Sequence, residues 1–161
     1  GGTMIAYFNG SWVDHDSIAV SPEDRGFLFA DGVYEVIRAY GGRPFAVAAH
    51  AARLARSLSA IRVAWPARAL LPDLIGRLLA ENDLAASDAL IYVQITRGAA
   101  PRKHRFPPAE TSPTAYAVAR AWSRLGSTRR DGDFSPRPTL SDAPDPVGPT
   151  RPATTTNTTA A

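Results

Sequence analysis

Residues 32–40 read GVYEVIRAY. Strict alternation places Val33, Glu35, Ile37 and Ala39 on one side and Tyr34, Val36, Arg38 and Tyr40 on the other, the period of a β-strand. Gly41-Gly42 closes this strand with a turn, and Pro44 to Val47 reads as its hairpin partner. Upstream, Met4 to Phe8 reads as a strand, Asn9-Gly10 as a two-residue hairpin turn and Ser11 to Val13 as the return. A further short strand is expected near Ile18 to Val20, followed by a polar turn over Ser21 to Gly26.

The period changes near Ala48. In HAARLARSLSAIRV (residues 50–63) Leu54, Leu58 and Ile61 recur at i, i+4 and i+7, the apolar stripe of a helix. Arg56 points away from the stripe, and Arg53 and Arg62 flank it. A second helix is expected from near Pro72, a residue tolerated in a first turn, to about residues 81–83. Its buried face is Leu74, Ile75, Leu78 and Leu79. ALIYVQIT (residues 89–96) is rich in β-formers and reads as an interior strand, with Thr114 to Trp122 as its neighbour. The fold class is therefore α+β: an antiparallel sheet with two helices packed on one side, over residues 4–122. Residues 123–161 hold repeated prolines and close on TTTNTTAA; with few sizeable apolar groups they read as a disordered tail.

Composition narrows the function. The chain has 161 residues, 45% of them hydrophobic, which suffices for one core. No apolar run reaches membrane-spanning length and no secretory signal opens the chain, so a cytoplasmic protein is the default expectation. With 0 cysteines, thiolate metal sites, disulfides and cysteine nucleophiles are excluded. No metal is expected. The formal net charge is +3, spread over scattered arginines interspersed with 15 acids, unlike the dense basic stripe of a nucleic-acid binder. Among 18 Lys and Arg residues, Lys103 is the only lysine.

That lysine lies in PRKHRFP, residues 101–107. In an extended loop Arg102 and His104 project to one side and Lys103 and Arg105 to the other. An arginine grips a carboxylate with two parallel hydrogen bonds, and an adjacent histidine adds a third. The flanking prolines reduce the ordering needed to present them. Taken alone, the residues are better explained by a solvated basic loop between strands. Arg53, beside its helix's apolar stripe, suits either a phosphate or a nearby acid. Tyr34 is either a core tyrosine or a hydroxyl turned toward a ligand. Asp14-His15-Asp16 lacks a further ligand at metal spacing and reads as a wet turn; His50 reads as structural.

Three stretches together, DRGFLFADGVYEVIRAY (residues 24–40), HAARLARSLSAIRV and IYVQITRGAAPRKHRFP (residues 91–107), resemble the N-terminal domain of the class IV pyridoxal-phosphate aminotransferases. Among these the Arg-x-His pattern resembles the D-amino-acid type. The resemblance covers about residues 4–122. It implies a homodimer acting on an amino acid and a 2-oxo acid with pyridoxal 5'-phosphate as cofactor. It further implies that Tyr34, Arg102 and His104 hold the substrate carboxylate, the last two reaching the neighbouring subunit. Arg53 would bind the cofactor phosphate. The lysine that carries this cofactor as a Schiff base belongs, in the family, to a C-terminal domain. Lys103, inside the carboxylate loop, does not fill that role, so the catalytic lysine is absent and a truncated, inactive chain is expected. Related readings are a branched-chain aminotransferase or an aminodeoxychorismate lyase of the same fold; one of another class is a non-catalytic dimerisation or binding domain.

Overall fold

The computed structural model describes residues 2–108 and 110–123. β1 (Ile5–Phe8) and β2 (Ser11–Asp14) form the first hairpin. Its turn residues, Asn9 and Gly10, have φ of 49° and 89°, left-handed values that Asn-Gly adopts at little steric cost. Asn9 also fastens the hairpin to the sheet, exchanging two hydrogen bonds with the backbone of Ala115: its amide donates at 2.9 Å and its side chain accepts at 2.8 Å. Then follow α1 (Arg25–Phe29), β3 (Gly32–Tyr40), β4 (Arg43–Pro44), α2 (Val47–Ala60), α3 (Ala67–Glu81), β5 (Ala89–Thr96) and β6 (Thr114–Ala121).

The sheet is antiparallel throughout, in the order β2-β1-β6-β5-β3-β4. β5 is central, bonded to β3 and β6 along its whole length. The helix-facing side carries Ile37 and Ala39 of β3, Ile91, Val93 and Ile95 of β5, and Ala115, Ala117 and Ala119 of β6. Against it pack Leu54 and Leu58 of α2 and Leu71, Leu74, Ile75, Leu78 and Leu79 of α3, all buried. Each buried Leu or Ile contributes about 1.5–3 kcal/mol of transfer free energy, so this single layer is the core. The opposite side of the sheet is uncovered by any described helix; Tyr34, Val36 and Tyr40 lie on it, exposed. β4 pairs only with Ala39 and Tyr40, so the first half of β3 has β5 on one side and a strand-free edge on the other among the described residues.

Four expectations need correction. α3 starts at Ala67, not near Pro72. The carbonyl of Pro66 accepts from the amides of Ala69 and Leu70, and Ala67 and Leu71 extend the apolar stripe one turn earlier. Residues 18–20 form no strand: Asp14 caps a 3-10 turn at His15–Ser17 and the chain then runs irregularly, with Val20 exposed. The return of the second hairpin is only Arg43–Pro44, because Ala46 turns left-handed (φ 52°) and α2 begins at Val47. Finally, the polar turn over residues 21–26 leads into α1, a five-residue helix that Asp24 caps by accepting from the Gly26 amide at 2.8 Å. The tail predicted over residues 123–161 lies, apart from Ser123, outside the described residues.

Candidate functional site

The basic loop leaves β5 at Gly98 and returns to β6 at Thr114. Gly98 has φ +95°, and a Cβ there would overlap the carbonyl oxygen of Ser112. A backbone bridge pairs Asp24 with Ala99, and the Arg25 amide donates to the Gly98 carbonyl at 2.9 Å. The Thr114 hydroxyl donates to the buried Asp24 carboxylate at 2.6 Å. One segment, residues 23–26, thus holds both ends of the loop. Gly26 is required there, because a Cβ would overlap the Thr96 side chain.

Within the loop, Arg102 and His104 come together on one ring. The Arg102 guanidinium lies 5.5 Å from the Phe29 ring centre, and the His104 ring meets Phe29 edge-on at 5.8 Å. Both residues are exposed, as are Lys103 and Arg105. A guanidinium and an imidazole on one side of a short loop, their polar ends open to water, offer donors to an anionic guest.

Sequence reading passed over what lies beneath. Arg25 is buried; its Nε donates to Asp31 at 2.9 Å and its Nη1 to the Lys103 carbonyl at 2.9 Å. Arg97 donates to the same Asp31 carboxylate at 2.6 and 3.0 Å and to the Ile61 carbonyl at 2.7 Å. Burial alone would raise the Asp31 carboxyl; the hydrogen bonds and charges of Arg97 and Arg25 outweigh it and hold it below its ordinary value. The signal was present as Asp-Arg and Asp flanking α1 and Arg-Gly closing β5, but only the tertiary fold joins them.

Tyr34 is not a core residue. It is 64% exposed on the uncovered side of the sheet and stacks on Tyr92, centroids 5.8 Å apart at 26°. Tyr92 in turn donates to Gln94 at 2.7 Å and meets Tyr116 at 6.2 Å. Burial, then the neighbouring Tyr34 and Tyr116, push the Tyr92 hydroxyl above its ordinary value, so it stays a neutral donor. His15 ends the row, 3.1 Å from the Tyr116 hydroxyl. No described contact joins Tyr34 to Arg102 or His104.

Arg53 reaches the other side of β3. It forks onto Glu35 with bonds of 2.7 and 2.6 Å, and His50 Nδ1 donates to the same carboxylate at 2.8 Å. A carboxylate only accepts, so Nδ1 carries the proton. Glu35 is buried among the aliphatic side chains; burial would raise it, and Arg53 with His50 holds it below its ordinary value. The Arg53 head is 59% exposed, not dry, and its Nη1 has no partner among the described residues. The acid-pairing alternative for Arg53 is therefore realised, with donors left over. Glu35 amid an alternating apolar side, and His50 and Arg53 one turn apart, were the readable signs of this network.

Tyr34 and Glu35 are neighbours in sequence and so project to opposite sides of the sheet. Both flank the strand-free edge of β3.

Comparison with known proteins extends the geometry. A family model described as Amino-transferase class IV matches residues 32–160. The chain is 41% identical over 120 residues to a D-alanine aminotransferase of Staphylococcus haemolyticus, covering 73% of this chain and 42% of that protein. A D-alanine aminotransferase of Bacillus licheniformis is 41% identical over 104 residues, 64% of this chain and 36% of its own length. Among solved structures, the Escherichia coli branched-chain amino acid aminotransferase superposes with a TM-score of 0.67 at 25% identity, covering 78% of this chain and 42% of that one. The 4-amino-4-deoxychorismate lyase of Pseudomonas aeruginosa does so with a TM-score of 0.56 at 25% identity, over 72% and 39%. The chain thus spans less than half the length of these relatives.

Proposed function

The chain belongs to the class IV aminotransferases, and from that premise we propose that it contributes the acid-gripping groups of an enzyme moving an amino group between a D-amino acid and a 2-oxo acid. The observation that carries this reading is the convergence of Arg102 and His104 on the Phe29 ring. Their donors hold the substrate carboxylate, and Tyr34, exposed and without a hydrogen-bond partner among the described residues, gives the third. Because no contact among the described residues joins Tyr34 to the loop, a second copy supplies the pair, and the working unit is a homodimer in the cytoplasm.

Pyridoxal 5'-phosphate, when bound, supplies the electron sink that lets the bond from the substrate α-carbon to hydrogen ionise. The donor set fits its phosphate in part: Arg53 keeps its Nη1 donors while Glu35 fixes its plane. Arg53 therefore orients the phosphate, and Tyr34, on the other side of the same strand edge, orients the substrate acid group. The only lysine, Lys103, sits on the exposed loop between Arg102 and His104, so this chain offers none placed to join the cofactor covalently. Alone it has no transaminase activity.

Support for the D-type comes from the curated relatives, D-alanine aminotransferases at up to 41% identity over the matched residues. The test is a chimera in which residues 4–122 replace the matched part of the Staphylococcus haemolyticus enzyme. The expected result is keto-acid formation from D-alanine and none from L-leucine. Turnover of L-leucine instead, or a folded chimera that turns over neither, contradicts the reading and favours the branched-chain type or a non-catalytic domain.

A further inference from the structure

Arg25 is 4% exposed, at the foot of a loop whose own residues are almost all wet. Burying a guanidinium is unfavourable unless its donors are matched, and here they are matched to two different things. Nε holds Asp31, the residue just before β3; Nη1 holds the carbonyl of Lys103. Lys103 is the residue between Arg102 and His104. Fixing its carbonyl fixes the Lys103–His104 peptide plane, from which the His104 side chain departs directly and the Arg102 side chain one peptide unit upstream.

The rings complete the arrangement. The Arg25 guanidinium lies 4.5 Å from the centre of Phe29, the ring that Arg102 and His104 also touch. Phe106, two residues beyond His104, meets Arg25 at 5.8 Å and Arg97 at 4.6 Å. Arg102, His104 and Phe106 therefore all reach the Arg25 cluster, although the loop bends at Arg102, His104 and Arg105 rather than running extended. Directional bonds and ring contacts hold the loop down.

We propose that Arg25, itself held through Asp31 and Arg97, is a positioning residue for the acid-gripping pair. It acts through the Lys103 carbonyl and touches no substrate. Its function needs one planar group that donates in two directions while lying against a ring, which an ammonium does not provide. The proposal rests on the carboxylate role of Arg102 and His104 given above, but its test does not involve substrate.

The experiment compares the 161-residue chain with Arg25→Lys and Phe106→Ala by proton NMR and by trypsin cleavage after Arg102, Lys103 and Arg105. In the unaltered chain, nuclear Overhauser contacts link His104 and the Arg102 side chain to the Phe29 ring. Both variants are expected to lose those contacts while the β3, β5 and β6 amides keep their shifts. Cleavage within the loop should rise about tenfold, the scale of local opening when a charge-assisted hydrogen bond is removed. Retained contacts and unaltered cleavage in both variants overturn the proposal. So does an Arg25→Lys chain that loses amide dispersion throughout the sheet while Phe106→Ala leaves the loop as it was, because Arg25 then serves the fold alone. Failure of the carboxylate reading shows instead in the chimera's substrate preference and leaves these spectra untouched.

Discussion

The most consequential single side chain on the helix side of the sheet is Glu35, a carboxylate 3% exposed. Arg53 and His50 satisfy it, and removing Arg53 leaves the buried carboxylate with the His50 hydrogen bond alone. Arg53→Met should lower the urea midpoint of unfolding, because Glu35 loses its bidentate partner while staying buried. Glu35 and Asp31 both lie below their ordinary values of 4.5 and 3.8. A carboxyl depressed in the folded state stabilises above its unfolded value and loses that contribution as pH falls through the folded one. Stability should therefore drop as pH is lowered from about 5 through the acid range, and Glu35→Gln should flatten that slope. An unchanged slope would show that the Glu35 pair carries no proton linkage. Alternation in GVYEVIRAY already put Glu35 opposite Tyr34, yet its partners were hidden. They lie 15 and 18 residues away and meet it only once α2 docks.

Elements were legible in proportion to how local their causes are. β3 and β5 follow from period and β-propensity alone, and the Asn-Gly hairpin from one dipeptide. α3 was read one turn short because Pro72 looked like a start; it lies exposed in the second turn of a helix that Pro66 begins. Pro72→Ala should restore an amide to the ladder and raise stability by about 1–2 kcal/mol, part of the helix-interior proline penalty. A lower denaturation midpoint would mean that the proline ring packs usefully. α1 escaped notice because five residues show no period; its cap, Asp24, and its close approach to Thr96 define it. Gly26→Ala, which forces a methyl against Thr96, should cost about 1–3 kcal/mol by the same denaturation assay. It should loosen both ends of the basic loop together.

For the whole molecule, a single layer of helices on one side of a six-stranded sheet sets the order of stability. Hydrogen exchange should be slowest in β5, bonded on both flanks and buried on one side, and fastest in the edge strands β2 and β4. The reverse order would contradict the sheet topology. This architecture was readable because core, turns and helix stripes agree with one another. Tyr34, Arg53, Arg102 and His104 were legible as candidate groups, but not any assembly of them, since no described contact joins Tyr34 to the loop pair. The account therefore stands on what Arg102 and His104 grip. The most direct measurement is kcat/KM of the chimeric enzyme and its Arg102→Gln variant, for D-alanine and for ethylamine, which lacks the carboxyl group. The account predicts a fall of about tenfold to a hundredfold for D-alanine, the scale of a lost charge-assisted hydrogen bond, and no change for ethylamine. An equal fall for both amines would contradict it.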